Sequence, residues 1–379
     1  MKVAIVTSFP DDPEAPGGGV EAVSVNLVKA LAEFKDLDID VITTRQDSYA
    51  SGTESWGKVN IHRLPWAGGS MLRNAVGPGR RQMQEYLSKI KPDIIHAHDT
   101  YGLMVKGLAM PRVFTIHGFI YTNTKFSGTR FSWLRSRIWK YIEMTGWVDQ
   151  PHIISISPVV REHLTGIAAG VVYDIDNPVN ERCFEIKRRE CKGRIFSAAK
   201  IYPLKNTLGL IKSFGKLIEN GFDCELRLAG GIRDESYMQT IRKWILLSGL
   251  TDHVHLLGNI STEQVWEELS SATIFALVSL DEGSPMGIEE AMAAGVPVVT
   301  SNRCGMPYMV RDGESGFLVD PNNPDDIARR LGQLLKDDKL CRSMGAKGRE
   351  IALDRFHPAK VAARTREVYL HAIEDFKRK

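Results

Sequence analysis

Two glutamates eight residues apart, Glu282 and Glu290, bracket the segment Glu282-Gly-Ser-Pro-Met-Gly-Ile-Glu-Glu290, which runs directly into Ala291-Met-Ala-Ala-Gly-Val-Pro-Val-Val299. An apolar run ending near Ser279 reads as a buried strand, and Gly287 to Ala294 is rich in helix formers, so the Gly-Ser-Pro turn between them sits at a helix N-terminus. Unpaired backbone N–H groups and the helix dipole make such a turn an anion site. Glu282 lies on the approach loop and Glu290 one helical turn inside, so both carboxylates can border one pocket; taken alone, the pair suggests acid/base hydrolysis as readily as binding. Glu289 points elsewhere on the helix and is expected to be solvated or in a surface pair. Metal chemistry has weaker support. His96 and His98 share one face of a predicted strand, as do His253 and His255, but neither pair has a local third ligand, which favours structural or pocket-lining roles. Asp38-Ile-Asp40 falls in a predicted strand and Asp174-Ile-Asp176 at the entry to a linker, so neither forms a plausible metal loop.

The elements that must position these groups follow from periodicity. Short apolar runs rich in β-branched residues recur at Val3 to Thr7, Ile39 to Thr43, Val59 to Arg63, Asp93 to Ala97, Val113 to His117 and Ile153 to Ile156, with amphipathic stretches such as Val20 to Phe34 between most of them. Strands alternating with helices imply right-handed crossovers and a parallel sheet covered on both faces. A second series starts at Arg194 and continues through Glu225 to Ala229, His253 to Leu257, Thr273 to Val278, Val296 to Ser301 and Phe317 to Val319. The fold class is α/β with two Rossmann-like halves. Turn chemistry over Asn177-Pro-Val-Asn-Glu-Arg-Cys-Phe184 and the charged run Lys187-Arg-Arg-Glu190 mark the linker, giving domains at 1–178 and 190–355 and a terminal helical segment at 356–379. The active site is expected in the cleft between the halves, where strand C-termini face one another.

Composition narrows the class. A chain of 379 residues is long enough for two cores. A net charge of +3 with 25% charged residues of both signs argues against a dedicated nucleic-acid binder. Five cysteines without a CxxC pair fit a reducing cytosol. Met1-Lys-Val-Ala-Ile-Val-Thr7 enters a strand pattern directly and the sequence has no 18-residue apolar run, so a cytoplasmic protein is expected.

A series of short motifs runs in order through nearly the whole chain: Pro16-Gly-Gly-Gly-Val-Glu21, Asp93-Ile-Ile-His-Ala-His98, Thr115-Ile-His-Gly118, Ile154-Ser-Ile-Ser157, Asp176-Asn-Pro-Val179, Lys200-Ile-Tyr-Pro-Leu-Lys-Asn206, Leu228-Ala-Gly-Gly231, Leu257-Gly258, Glu282 to Glu290, and Asp312-Gly-Glu-Ser-Gly-Phe-Leu-Val319. Each is weak alone. The ordered set resembles the family-4 retaining glycosyltransferases of the GT-B fold, the superfamily of bacterial glycogen synthases and many lipid and polysaccharide glycosyltransferases. The resemblance implies an acceptor-binding domain at 1–178, a domain binding the nucleotide-sugar donor at 190–355, and a C-terminal helix returning to the first domain. It also implies transfer of a sugar from a nucleotide-diphosphate donor to a hydroxyl acceptor with retention, by a front-face reaction in which the leaving phosphate takes the acceptor's proton. No cofactor and no metal are implied, so cations and backbone dipoles must neutralise the departing diphosphate.

On this resemblance Lys200 and Lys205 stand where the family has its diphosphate-binding Arg and Lys. Ala199-Lys200 replaces the usual Gly-Arg, and lysine lacks the planar bidentate fork, so Lys205 bears more weight. Glu290 matches the glutamate that bonds the ribose hydroxyls, Glu282 the carboxylate near the transferred sugar, and His117 the histidine that contacts it. The implied catalytic set is therefore Glu282, His117 and Lys205, and the implied substrate-binding set is Gly18, Gly19, Lys200, Lys205, Gly230, Ser284, Pro285, Met286, Gly287 and Glu290. Gly17, Gly18 and Gly19 would let the backbone approach the donor where a Cβ would clash, with Glu21 following in the helix's first turn. A nucleotide-sugar epimerase on the same fold and a non-catalytic nucleotide-sugar-binding partner are the alternatives; an NAD-dependent oxidoreductase is weaker, because the glycines do not form the dinucleotide fingerprint.

One region bears on the acceptor. Residues 119–147 interleave Lys125, Arg130, Arg135, Arg137 and Lys140 with Phe126, Phe131, Trp133, Trp139, Tyr141 and Trp147. A helical wheel docks Phe131, Leu134, Ile138, Tyr141 and Ile142 on the sheet and leaves Trp133, Arg137 and Lys140 outward, a combination suited to lipid headgroups at the inner face of a membrane. A lipid-linked or cell-envelope glycan acceptor is the corresponding expectation, set against a core-packed helix with a solvated basic face.

Overall fold

The structure, a computed structural model, describes residues 1–45, 52–125 and 131–378 and divides into two compact units, Met1–Pro178 with Pro358–Lys379, and Val179–His357. Among the described residues, unit 1 contains an eight-stranded sheet built from β1 (Lys2–Val6), β2 (Asp38–Arg45), β3 (Gly52–Trp56), β4 (Val59–Pro65), β5 (Ile94–His98), β6 (Arg112–Ile116), β7 (His152–Ser155) and β8 (Val171–Asp174), in the order β3-β4-β2-β1-β5-β6-β7-β8. Val3, Ala4, Ile5 and Val6 are fully buried, as expected of a central parallel strand covered on both faces. The sheet is not wholly parallel, however: β3 pairs antiparallel with β4. Neither β3 nor β8 was anticipated. β3 reads Gly-Thr-Glu-Ser-Trp and is largely exposed, and Val171 in β8 is 51% exposed, so these edge strands lack the buried apolar run that announces a central one.

The C-terminal helix, Pro358–Arg378, belongs to unit 1. Val361, Thr365, Val368 and Ala372 recur at helical spacing on its buried face, beside Ala362 and Tyr369.

Unit 2 is parallel throughout: β9 (Arg194–Ala198), β10 (Glu225–Ala229), β11 (Val254–Gly258), β12 (Ile274–Leu277), β13 (Val298–Ser301) and β14 (Gly316–Val319), in the order β11-β10-β9-β12-β13-β14. Alternation along the strands feeds two cores. Ile195, Leu226, Leu228, Ile274 and Ala276 face one, and Phe196, Ala229, Phe275, Leu277 and Val298 face the other. The two-domain parallel α/β architecture expected from the sequence is therefore present.

Each sheet has a point at which strand order reverses. In unit 1 it is β1, flanked by β2 and β5; in unit 2 it is β9, flanked by β10 and β12. Crevices open beyond strand C-termini at such switch points. The chain leaving β9 carries Lys200 and Lys205, that leaving β12 carries Glu282, and β5 ends at His98, next to β6, which leads into His117.

Candidate functional site

In unit 2, Pro203–Lys205 forms a short 3-10 turn, and Asn206, in a left-handed conformation at φ 53°, begins the helix Thr207–Glu219. The Asn206 amide donates to the carbonyls of Val278 (3.2 Å) and Pro321 (2.8 Å), and Leu280 N–H donates to Leu204 O (2.8 Å), tying the Lys205 turn to the chain beyond β12. Lys205 Nζ consequently donates to Glu282 Oε1, which also accepts from Ser279 Oγ at 3.1 Å. The lysine and glutamate side chains are only 16% and 15% exposed, so their attraction is screened less than that of a surface pair. Gly305 N–H donates to the Glu282 carbonyl at 2.8 Å; a Cβ on Gly305 would lie 1.7 Å from the Gly283 carbonyl oxygen, so only glycine permits this approach.

The helix Met286–Ala293 starts immediately after Pro285. A Cβ on Gly287 would lie 3.0 Å from the Phe275 ring and 3.2 Å from Ala198 O, so the absence of a side chain seats the helix start tightly against the ends of β9 and β12. Glu289 corrects the sequence-based expectation. It is fully buried, and Ser284 Oγ donates to its Oε1 at 2.6 Å. The helix is covered broadly, with Ile288, Ala291, Met292 and Ala293 also buried, so pointing away from Glu290 does not bring Glu289 to solvent. Burial raises the Glu290 carboxyl to about 7, and its charge adds to the burial that lifts the Cys183 thiol. Gly230 has φ +146°, and a Cβ there would lie 1.9 Å from Ala199 O, so this glycine is required for the close passage of the segment that follows β9. Lys200 is exposed. The structure thus brings Lys205 and Glu282 together, adds Ser279, and gives Ser284 to Glu289. The sequence signal for Ser279 was only its place at the end of an apolar run.

In unit 1, Gly18 precedes the helix Gly19–Leu31 in an extended conformation, and Gly17 N–H donates to Glu21 Oε2 at 2.7 Å, while Ser8 Oγ donates to Glu21 Oε1 at 3.4 Å. Glu21 therefore closes the glycine-rich turn onto its own helix. His117 is bonded three ways: its N–H donates to Asp99 Oδ1 (2.8 Å), its Nδ1 lies 3.1 Å from Asn177 Oδ1, and its Nε2 lies 2.8 Å from His98 Nδ1. His96 bridges Tyr369 Oη and Thr115 Oγ1, each at 2.7 Å. Burial depresses all three imidazoles, His96 to about 3, and mutual repulsion adds to this for His96 and His98, so each is neutral at physiological pH. Both nitrogens of His96 are engaged in hydrogen bonds. Among the described residues, no group of three or more His, Cys, Asp or Glu side chains is arranged to hold a metal ion.

The helix Ser132–Val148 corrects a second expectation. It buries Ser136, Trp139, Glu143, Gly146 and Trp147, whereas Phe131, Leu134, Ile138 and Tyr141, expected to dock, are 44–72% exposed. Trp139 and Trp147 bring two large rings to the buried face, and the same face bonds the preceding segment: Glu143 accepts from Ile120 N–H and Tyr121 N–H, both at 3.0 Å, and Ser136 Oγ donates to Tyr121 O at 2.7 Å. Burial raises the Glu143 carboxyl to about 7, despite those N–H groups, with repulsion from Asp99 a lesser contribution. Trp133 is 60% exposed, with the Arg137 guanidinium 5.9 Å from its ring centroid. Phe126 and Arg130 lie outside the described residues.

Two family models match consecutive parts of the chain: Glycosyltransferase Family 4 over residues 17–182 and Glycosyl transferases group 1 over residues 180–351. The MMP alpha-(1->4)-mannosyltransferase of Mycolicibacterium hassiacum is 29% identical over 296 residues, 74% of this chain and 71% of that protein. The fold matches sucrose-phosphate synthase from Thermosynechococcus elongatus with a TM-score of 0.83 and 19% identity, covering 99% of each chain. It also matches Anabaena HepE in complex with UDP-glucose, with a TM-score of 0.73 and 16% identity over 98% of this chain and all of that one (100%). Consecutive family matches on a chain folded into two parallel α/β units lead to one assignment: this chain belongs to the family-4 glycosyltransferases of the GT-B fold.

Proposed function

We propose that this glycosyltransferase moves a sugar from a nucleotide-diphosphate donor to a hydroxyl acceptor with retention of configuration and without a metal. The observation that carries the reading is the half-buried Lys205–Glu282 pair, on the segments that follow β9 and β12, just ahead of the helix Met286–Ala293. An ammonium and the unpaired N–H groups of helix starts together form an anion site of the kind a departing diphosphate needs. Lys205 and the backbone of Ser284 to Gly287 neutralise that charge, exposed Lys200 supplies a second cation, Glu290 accepts from the ribose hydroxyls, and Glu282 lies beside the transferred sugar. The bond from the anomeric carbon to the phosphate oxygen breaks as the bond to the acceptor oxygen forms on the same face, and the acceptor proton passes to the phosphate. The fold neighbour solved with UDP-glucose supports a nucleotide-sugar donor.

The acceptor belongs to the lipid-linked or cell-envelope glycans in this reading, and the protein works in the cytoplasm at the inner face of a membrane. Support comes from the outward Trp133, Tyr141, Arg137 and Lys140 of the helix Ser132–Val148. No helix among the described residues is long and apolar enough to cross a membrane, so attachment would be peripheral. Thermal unfolding against a panel of UDP, GDP and ADP sugars tests the donor: one class should raise the melting temperature by mass action, and a flat response to all of them sinks the reading. Co-sedimentation with anionic liposomes tests the surface, where Trp133→Ala combined with Arg137→Ala should reduce binding; equal binding removes the membrane contact.

A further inference from the structure

Three motifs meet at one imidazole, that of His117. Asp93 to His98 contributes His98, at the end of β5; Thr115 to Gly118 contributes His117, just beyond β6; Asp176 to Val179 contributes Asn177. The His98 and His117 rings have centroids 5.0 Å apart and planes inclined by 23°, and the 2.8 Å contact joins Nδ1 of the first to Nε2 of the second, so they meet edge to edge through a hydrogen bond. His98 is 1% exposed, and its Nε2 has no hydrogen-bond partner among the described residues.

The proton positions follow from these partners. Asn177 presents its carbonyl oxygen to His117 Nδ1 at 3.1 Å, which favours a proton on that nitrogen over opposed lone pairs, a preference that is complete only while a donor at Nε2 reinforces it. A neutral His117 then has a bare Nε2, which accepts from His98 Nδ1–H. The unpartnered His98 Nε2 is left as a bare acceptor. The opposite arrangement would bury an orphaned N–H on His98 and set a bare His117 Nδ1 against the Asn177 oxygen; orphaned donors are the rarer and costlier of the two.

We propose that His98 is a positioning residue that, together with Asn177, locks His117 in the Nδ1–H form and fixes its ring plane. The lone pair of His117 Nε2 is thereby presented toward His98, and a sugar hydroxyl that displaces His98 from it can bind only as a donor. That specificity consequence rests on the nucleotide-sugar reading above; the proton placement does not.

Two- and three-bond 15N–1H correlation spectra of the histidine side chains in the intact, ligand-free protein at pH 7.5 test the lock. His117 should show a protonated Nδ1 and a bare Nε2, and His98 the same pattern. A His117 proton on Nε2 overturns the proposal, whatever the donor panel gives. In His98→Leu the His117 spectrum should move to a mixture of the two forms, and in His98→Asn, where an amide nitrogen stands at the position of Nδ1, the single form should return. The loss of one hydrogen bond predicts a roughly two- to twelvefold lower kcat in His98→Leu, with recovery in His98→Asn. An unchanged His117 form in a folded His98→Leu refutes the role of His98; should that variant fail to fold, the wild-type spectrum and His98→Asn still decide. A donor panel without any stabilisation, beside the expected spectra, would overturn the glycosyl-transfer reading and leave the lock in place.

Discussion

The polar groups of the two units are held by different physics. In unit 2, Lys205 and Glu282 are formally charged and incompletely buried, facing each other at about one-sixth exposure. In unit 1, the central group is a row of imidazoles that burial keeps neutral, linked to Thr115, Tyr369 and Asn177. Unit 1 does bury carboxylates: Asp99 accepts from the N–H of His117 and Glu143 from those of Ile120 and Tyr121, while Asp40, 3% exposed, pairs with Lys2 and His62. Burying an ion fully costs several kcal/mol unless it is well paired, whereas a neutral imidazole with both nitrogens bonded, as in His96 and His117, can be buried at little cost. On the proposed reading, a group that meets a mobile diphosphate stays near water, and one that holds a fixed orientation can go deep.

The largest effect that would break this contrast concerns Lys205. Its replacement by alanine should lower kcat about 100- to 1,000-fold, as for loss of one transition-state donor, with Lys200→Ala costing less; an unchanged rate in initial-velocity assays would show that the charged cluster is not the donor clamp. Glu143 comes next. Its carboxyl titrates near 7 in the folded protein, against 4.5 as the ordinary value, so its contribution to stability is full below about 4.5 and is lost as pH rises through 7. Relative to Glu143→Gln, wild-type stability in denaturant titrations should fall by roughly 3 kcal/mol between pH 4 and 8, since each pH unit separating the folded and unfolded titrations is worth about 1.36 kcal/mol; parallel pH profiles would mean that this carboxyl is not perturbed. The smallest effect sharpens the contrast within unit 2. Glu290 also titrates near 7, so if its ionised form accepts from the donor ribose, affinity should fall about tenfold between pH 8 and 6, and Glu290→Gln should flatten the profile in calorimetric titrations.

Much of the unit 2 site was legible because charge and glycine leave local signatures. The spacing from Lys200 to Asn206 and from Glu282 to Glu290 can be read directly along the chain, and a turn before a helix predicts its own exposed N–H groups. Ser279 and Glu289 were not legible in the same way. A serine ending a strand has no distinguishing pattern, and the burial of Glu289 depends on how broadly its helix is covered. In unit 1, the motifs containing His98, His117 and Asn177 stood in the sequence without any sign that they converge, since the contacts join residues 19 and 60 positions apart.

The sequence by itself determined the α/β alternation, the central strands of both sheets and the charged side chains on offer, because periodicity, glycine and charge act locally. Only the tertiary structure decided which face of the helix Ser132–Val148 is buried, which carboxylate meets Lys205 and which imidazoles touch. Those choices depend on the area and the hydrogen-bond partners that neighbouring strands offer. Sheet order sets them: it brings β9 next to β12 and β5 next to β6, and with them side chains that the chain itself holds far apart.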